Sequence, residues 1–217
     1  MKKRLIFLDL DETLINTSER HYKLYCNIID ELNLQIPLGK DEFWKLKRNG
    51  ISTVEILGGI DPKILLKCSE IWIENIESRN YLIHDKLFKD SLGLLSKLSS
   101  EKLFLITMRN NRENLIWELK KLGLYNKFNA VLSCSPLNNN DKTVPILEYI
   151  EEKDLCIDKN SIIVGDSEKD IITGKKLNLT TLAVVYGIRR KEILLSLKPD
   201  YCLDDMNDII DAIKNLD

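Results

Sequence analysis

The feature that most constrains the fold is a regular alternation of apolar and amphipathic segments after residue 90. Short runs rich in β-branched and aliphatic residues, such as KLFLIT at 102–107 and TTLAVVYG at 180–187, predict strands. Segments with apolar residues at helical spacing, such as RENLIWELKKLGL at 112–124, lie between them. Apolar strands that alternate with helices are typical of a mostly parallel sheet covered on both faces. We therefore predict an α/β fold.

The alternation continues to the end of the chain. It predicts further strands in FNAVLSC (128–134), SIIVGD (161–166) and YCL (201–203), and further helices in SLGLLSKLSSE (91–101), TVPILEYIEEK (143–153), KDIITGKKLNL (169–179) and DDMNDIIDAIKNL (204–216).

The first predicted strand, at residues 4–10, stands apart because no helix–strand pair follows it directly. From about residue 17 to residue 90 the pattern is helical, as in HYKLYCNIIDELNL at 21–34 and KILLKCSEIWIENI at 63–76, and no strand alternation stands out. Glycines and a proline interrupt the segment between these two helices. We interpret the helical block as an insertion, which predicts a core of residues 1–16 and 87–217 and an inserted helical domain of residues 17–86.

The composition excludes several classes of function. The 217 residues are 44% hydrophobic and 30% charged with a net charge of −2, which gives no reason to expect nucleic-acid or membrane binding. The apolar part of the N-terminal segment is too short for a signal peptide, and no apolar run has the length of a membrane span. An odd number of cysteines without a CxxC pair favours a reducing, cytoplasmic setting. All five are expected to be buried small hydrophobes: Cys26, Cys68, Cys134, Cys156 and Cys202.

Polar side chains follow several of the predicted strands. Asp9 and Asp11 are two residues apart on the first strand and share a face, where like charges about 4 Å apart repel by roughly 4 kcal/mol at an effective dielectric near 20. Ligands of open α/β sheets bind beyond the carboxyl ends of the strands, where Thr107, Ser135 and Asp166 also fall. A carboxylate cluster at this edge suits Mg²⁺, a hard ion that prefers oxygen ligands.

Structural alternatives to a metal site stay open at this point. Aspartates often close strands and begin turns, which would account for Asp9 and Asp11 without any ligand. Asp170 lies near the start of a predicted helix, where a carboxylate can cap free backbone amides.

Four motifs, in this order, resemble those of the haloacid dehalogenase-like (HAD) superfamily, in the branch that includes phosphoglycolate phosphatases and β-phosphoglucomutases. They are DLDET at 9–13, the hydroxyl that closes a strand at Thr107, Lys142 in DKTVPIL, and VGDSEKDI at 164–171. The ending KPDYCLDDMNDIIDAI is also similar, so the resemblance covers essentially the whole chain. It implies a Rossmann-like parallel-sheet core with an inserted helical cap domain.

The resemblance also implies a role for each matching residue. Asp9 would be the nucleophile that forms an aspartyl-phosphate, and Asp11 would act as general acid and then general base. Thr107 and backbone amides near Leu10 and Met108 would bind the phosphoryl oxygens. The further catalytic residue would be Lys142, which would hold the nucleophile and the phosphate together.

The cofactor implied by the resemblance is Mg²⁺. Its ligands would be Asp9, Asp166, the main-chain carbonyl of Asp11, and Asp170 as a ligand or outer anchor. Lys127 and Lys153 are alternatives to Lys142, which is favoured because it alone precedes a helix at the right place in the strand order. Three features differ from the usual family pattern. Glu12 stands in place of glycine, and Met108 stands in place of a small residue, although Arg109 stands where many phosphatases have lysine. Lys142 follows NNND and lacks an immediate proline.

The leading functional hypothesis is a Mg²⁺-dependent phosphatase that hydrolyses a small phosphomonoester. One alternative is a β-phosphoglucomutase-like phosphomutase, because His21 has the spacing from Asp9 seen in that enzyme and RNGIS resembles its cap loop. Another alternative is a catalytically silent regulatory or binding protein with the same fold. We expect a small phosphorylated metabolite as the partner, and a monomer or weak dimer.

Substrate selection is predicted to come from the cap. The turn KRNGIST at 47–53 contains Lys47, Arg48 and Thr53, which are candidate substrate-binding residues together with His21 and Arg109. The alternative is a solvated loop between two helices, since basic loops often lie at the surface.

Overall fold

The computed structural model describes residues 3–57, 61–134 and 141–216. Six parallel strands form one sheet in the order β5-β4-β1-β6-β7-β8, which confirms the predicted α/β class and its Rossmann-like parallel-sheet core. These strands are β1 (Leu5–Leu8), β4 (Lys102–Thr107), β5 (Ala130–Ser133), β6 (Ile162–Gly165), β7 (Thr180–Val184) and β8 (Tyr201–Leu203). Two short strands, β2 (Ile15–Asn16) and β3 (Lys86–Leu87), pair antiparallel.

The helices fall into two groups along the chain. Between β2 and β3 lie α1 (Ser18–Glu31), α2 (Lys40–Arg48), α3 (Thr53–Ile56), α4 (Pro62–Asn75) and α5 (Arg79–Leu82). After β3 lie α6 (Ser91–Lys97), α7 (Arg112–Lys121), α8 (Thr143–Glu152), α9 (Glu168–Lys176), α10 (Lys191–Ser196) and α11 (Asp208–Lys214), with a 3₁₀ turn at Tyr125–Lys127. No helix in the described ranges is long and apolar enough to cross a membrane.

Alternate residues of the central strands pack on opposite faces of the sheet, as the twofold period of a strand requires. Ile6 and Leu8 of β1 contribute to a cluster shared with α6, α7 and α11. Leu5 and Phe7 contribute to a second cluster that includes Ile146 of α8. The sheet is therefore covered on both faces, and its carboxyl edge stays available for a site.

The helices between β2 and β3 bury an apolar cluster of their own. The Tyr25 and Phe43 rings stack at 4.6 Å between centroids, and Cys68 lies buried beside them. The β2–β3 pair closes the base of this helical group, which we call the cap helices (α1 to α5). Division of the chain at residues 17 and 86 stays a prediction, although the separate cluster is what an inserted domain requires.

The sequence pattern missed the shortest elements. β3 falls within the region where no strand alternation was expected, because two residues are too few to show a period. α3 and α5 have four residues each and lie near glycines or between longer helices, so their helical spacing is not visible. The expectation for the cysteines is wrong in part: Cys68 and Cys134 are buried, whereas Cys156 is exposed in the connection after α8.

Candidate active site

A cavity of about 180 Å³ lies beyond the carboxyl edge of the sheet, beneath the cap helices. Asp9 follows β1, Thr107 ends β4 and Asp166 follows β6, so the parallel strands deliver all three to one place. The cavity is lined by Asp9, Asp11, Glu12, Thr17, His21, Thr107, Met108, Lys142, Asp166, Ser167 and Ile188. Ser135, predicted at the same edge, lies outside the described residues. The side chain of Leu10 packs in the core.

Lys142 connects two of the candidate carboxylates. Its Nζ donates to Asp9 Oδ1 and to Asp170 Oδ1, at 2.6 Å each, and all three side chains are buried. Burial alone would lower the pKa of Lys142, but Asp170 and Asp9 raise it well above its usual value, so the side chain carries a charge. Lys127 and Lys153 are exposed, and neither lines the cavity. Lys142 is therefore the lysine that the structure brings to Asp9.

Three buried carboxylates form a candidate metal centre. Oxygens of Asp9, Asp166 and Asp170 all lie within 4.8 Å of one another. Burial and the neighbouring charges of Asp9 and Asp170 raise the pKa of Asp166 well above its ordinary value, and burial also raises that of Asp9. Such a cluster is unfavourable without a compensating cation, and its hard oxygen donors fit Mg²⁺. The Asp11 carboxylate is not part of this triad.

Asp170 makes a helix-capping contact and also lies in the carboxylate cluster. Its Oδ2 accepts from the backbone N–H and the hydroxyl of Ser167, at 3.1 and 2.6 Å, which caps the start of α9. Its Oδ1 contacts Lys142. Gly165 makes this approach possible, because a Cβ there would lie 2.1 Å from Asp170 Cγ. The two explanations of Asp170, a helix cap and a site residue, are therefore compatible.

Two arginines bind the Asp11 carboxylate. Arg109 donates through Nε to Oδ2 at 2.7 Å and through Nη2 to Oδ1 at 2.6 Å, and Arg20 donates to Oδ1 at 2.9 Å. Burial would raise the pKa of Asp11, but Arg109 and Arg20 hold this pKa well below its usual range. Arg109, predicted to bind substrate, is thus engaged with a carboxylate of the protein. The sequence analysis did not identify Arg20. Its position on the same apolar face of α1 as Leu24 was a visible signal that this charged residue is buried.

The same arginines extend into a buried ion network that joins the cap helices to the core. Arg20 of α1 lies 3.4 Å from Asp85 Oδ1, just before β3. Arg109 lies 3.3 Å from Asp85 Oδ2 and 3.2 Å from Glu118 Oε2 of α7. Burial and the adjacent Glu118 raise the pKa of Asp85 strongly, so Asp85 holds a proton at neutral pH. Side chains of α1, of the segment before β3 and of α7 are therefore linked through the two buried arginines.

The contacts of Glu12 explain how it can stand where the family usually has glycine. Its φ of 59° lies in the left-handed region that favours glycine, at an expense of roughly 1–2 kcal/mol for other residues. The side chain offsets this by accepting from the N–H and the hydroxyl of Thr17, the latter at 2.8 Å, at the start of α1. Burial raises the pKa of Glu12 to about 7. The residue therefore connects the turn after Asp11 to the first cap helix.

On the cap side, the cavity is lined by His21, which packs against two tryptophans. The imidazole makes edge contacts with Trp44 and Trp72, at 6.0 and 5.4 Å between centroids. Its Nδ1 is buried and has no hydrogen-bond partner in the described part of the chain. Burial lowers the pKa of His21 well below its usual value, so the ring is neutral. His21 thus contributes a neutral surface to the cavity.

The predicted cap turn is not a solvated loop. Lys47 and Arg48 belong to the last turn of α2, and Thr53 begins α3. Lys47 and Thr53 are 8% and 4% exposed, and Lys47 Nζ lies 3.2 Å from Thr53 Oγ1 and 5.8 Å from the Trp72 ring centroid. Arg48 donates to Val185 O of the core at 2.7 Å. None of these three residues lines the cavity.

Comparisons of sequence relate the chain to known proteins. The sequence model of the family described as haloacid dehalogenase-like hydrolase matches residues 5–184. The pyrophosphatase PpaX of Oceanobacillus iheyensis is 25% identical over 217 residues, which cover 98% of both chains. The pyrophosphatase PpaX of Bacillus pumilus is 26% identical over 211 residues, which cover 94% of each.

Solved structures share the fold at lower identity. A haloacid dehalogenase-like hydrolase from Streptococcus pneumoniae has a TM-score of 0.81 at 20% identity, covering 97% of this chain and 98% of that chain. A predicted phosphoglycolate phosphatase from Haemophilus somnus has a TM-score of 0.71 at 18% identity, covering 98% of each. At these identities the likeness concerns the fold alone. Because the family model matches most of the chain and the fold agrees, the protein belongs to the haloacid dehalogenase-like hydrolase family.

Proposed function

We propose that the protein is a Mg²⁺-dependent phosphatase that hydrolyses a small phosphorylated metabolite through an aspartyl-phosphate on Asp9. The observation that carries the proposal is the position of Asp9, which lies at the end of β1, lines the cavity, contacts Lys142 and belongs to the carboxylate triad. A nucleophilic carboxylate beside a fixed cation is what in-line attack on phosphorus requires. The small cavity favours a compact substrate.

The charges around Asp9 determine how attack becomes possible. A phosphate dianion about 4 Å from a carboxylate is repelled by roughly 8 kcal/mol at an effective dielectric near 20. Lys142 supplies one fixed positive charge beside Asp9. Mg²⁺, which Asp9, Asp166 and Asp170 would hold, would supply the remaining charge neutralisation when bound. Thr107, buried at the end of β4, would donate its hydroxyl to a phosphoryl oxygen.

The arginine contacts of Asp11 favour one class of leaving group. Both Asp11 oxygens accept N–H donors and the arginines lower its pKa, so the carboxyl stays ionised and has no proton to give to a leaving group. An alkoxide needs that proton, whereas a phosphate or phenolate departs without it. We therefore add phosphoric anhydrides such as pyrophosphate as a second candidate substrate class, and expect them to be hydrolysed more efficiently than alkyl phosphomonoesters. The relatives named pyrophosphatase PpaX agree with this ranking.

Lys47 supports a substrate with a second anionic group. Its ammonium is buried and, among the described residues, forms no ion pair with a carboxylate. Burial and the nearby Arg189 lower its pKa to about 8. A buried cation whose polar contact is a hydroxyl gains from an incoming anion. A second phosphate or a carboxylate would supply it on a substrate that extends past His21 and beyond the cavity, since Lys47 is not among the residues that line the cavity.

The test is a panel of phosphorylated metabolites that includes pyrophosphate, phosphoglycolate, alkyl monophosphates and p-nitrophenyl phosphate. Purified protein is assayed for phosphate release with Mg²⁺ and with excess EDTA, and Asp9→Asn serves as the inactive control. We expect turnover that requires Mg²⁺ and a higher kcat/KM for pyrophosphate than for alkyl esters. Full activity in EDTA would refute the metal, and no activity on any compound would favour the catalytically silent alternative. A requirement for a bisphosphate activator would identify the mutase alternative.

A further inference from the structure

The loop after β7, residues 185–190, contacts the cap helices on one side. The Arg48 guanidinium at the end of α2 donates through Nη2 to Val185 O at 2.7 Å and through Nη1 to Tyr186 O at 3.4 Å. Arg48 is therefore committed to backbone carbonyls of the core. Such charge-assisted bonds to carbonyl oxygens are stronger than neutral ones.

The contact is reciprocal. Arg189 Nη1 donates to Lys47 O at 3.0 Å, and Arg190 N donates to Arg48 O at 3.2 Å. The last turn of α2 offers carbonyls that have no partner within the helix, because a helix leaves its final C=O groups free. The 185–190 loop therefore completes the hydrogen bonding of this helix end, and Arg48 completes that of the loop.

On its other side, the 185–190 loop holds Asp166. The Ile188 backbone N–H donates to Asp166 Oδ2, and Ile188 also lines the cavity. Gly187 packs directly on the same side chain, since a Cβ there would lie 2.3 Å from Asp166 Cβ. Tyr186 donates its hydroxyl to Thr13 O at 3.1 Å, and Thr13 Oγ1 lies 3.4 Å from Asp166 Oδ1. The loop thus contacts Asp166 Oδ2 directly and is linked to Oδ1 through Thr13.

We propose that Arg48 is a positioning residue that fastens the cap helices to the 185–190 loop and, through the Ile188 N–H, fixes Asp166 in its place in the triad. Separation of α2 from the core removes the Arg48 donors from the loop and loosens the Ile188 contact. Contact between the cap helices and the 185–190 loop therefore also determines whether Asp166 is held in the triad. The Asp166 part of this inference rests on the proposed metal site, whereas the fastening of the loop does not.

The experiment compares wild type with Arg48→Ala and Arg48→Lys, and uses Lys45→Ala, exposed on the same helix, as the matched control. Amide hydrogen exchange is measured on peptides covering 185–190 and 161–170 without metal. Titration calorimetry with MgCl₂ alone measures metal affinity without substrate. Loss of an outer contact to a metal ligand typically weakens binding about 10- to 100-fold.

We expect Arg48→Ala to exchange faster at 185–190 and to bind Mg²⁺ about 10- to 100-fold more weakly. Arg48→Lys should fall between it and wild type, because lysine donates from a single point, and Lys45→Ala should match wild type. Unchanged exchange, or faster exchange with unchanged Mg²⁺ affinity, overturns the proposal. A wild type that binds no Mg²⁺ refutes the metal part of the proposed function. In that case faster exchange of Arg48→Ala at 185–190 still supports the fastening of the loop, and unchanged exchange overturns it.

Discussion

Replacing Asp166 by asparagine should stabilise the metal-free protein while removing its response to Mg²⁺. Two carboxylates at 4.8 Å repel by about 3.5 kcal/mol at an effective dielectric near 20, and Asp166 faces both Asp9 and Asp170. Lys142 already offsets part of this through those two neighbours. The repulsion that Asp166 feels cannot exceed the free energy of protonating its carboxyl instead. At pH 7 this is about 4 kcal/mol for a carboxyl of ordinary pKa 3.8. We expect a net gain of about 1–3 kcal/mol.

Asparagine can also keep the local hydrogen bonds of Asp166. Its carbonyl oxygen can accept from Ile188 N–H, and its amide can donate to the Thr13 hydroxyl, now 3.4 Å from Asp166 Oδ1. Because these bonds are kept, the expected gain of about 1–3 kcal/mol is not reduced, and it corresponds to a Tm increase of roughly 2–12 °C in a chain of this size.

Thermal unfolding is followed by circular dichroism at pH 7 in EDTA and in Mg²⁺, with Asp30→Asn, an exposed carboxyl of α1, as the control. Wild type should gain about 2.7 kcal/mol at a Mg²⁺ concentration 100 times Kd, and Asp166→Asn should gain little. A metal-free Asp166→Asn that melts below wild type would refute the repulsion argument. Equal stabilisation of both proteins by Mg²⁺ would place the metal elsewhere.

Other changes test other parts of the site. Asp9→Asn should abolish phosphate release without altering the circular dichroism spectrum, and turnover near that of wild type would exclude Asp9 as nucleophile. Arg20→Met should lower the free energy of unfolding by about 3–5 kcal/mol, because it removes one of the two arginines that pair with the Asp11 carboxylate, and urea unfolding that shows less than about 1 kcal/mol would contradict this. Gly187→Ala should prevent Mg²⁺ binding in calorimetry, since the new Cβ meets Asp166. In EDTA, the free energy of unfolding should fall from pH 5 to pH 8. Burial raises the pKa of Asp85 in the folded state above its unfolded value, so the stabilising effect of its proton decreases as pH rises. The fall should be less steep in Asp85→Asn.

Much of the fold and part of the candidate site could be predicted because both depend on local pattern. Strand and helix periods are visible in segments such as 102–107, which is β4 without any shift of its ends. Parallel strands place their carboxyl ends at one edge, so Asp9 and Asp166, which follow β1 and β6, had to come close. Their oxygens lie within 4.8 Å of each other and of Asp170.

The ion network could not be predicted, because its partners are far apart in the sequence. Arg20 of α1, Asp85 before β3 and Glu118 of α7 are far apart along the chain, and the position of Arg20 on the apolar face of α1 indicates burial but not its partners. Only the packed structure shows that Asp85 and Glu118 have fully buried side chains. The role of Arg48 was hidden for a similar reason. A basic residue at a helix end predicts a ligand contact as readily as the bond to Val185 O that is present.

The buried network also limits how freely this family's parts can be exchanged in the protein. The cap helices enter and leave the core next to Arg20 and Asp85, which pair with each other; Asp85 also pairs with Arg109, and Arg109 pairs with Glu118 of the core. A chimaera that carried another protein's cap on this core would remove Arg20 and Asp85, and so leave Asp11 and Arg109 each without one partner. Breaking one such pair typically lowers stability by about 3–5 kcal/mol, a large part of what a domain has. The insert is therefore not an independent module here, and evolution or design could replace it only together with the charges beneath it.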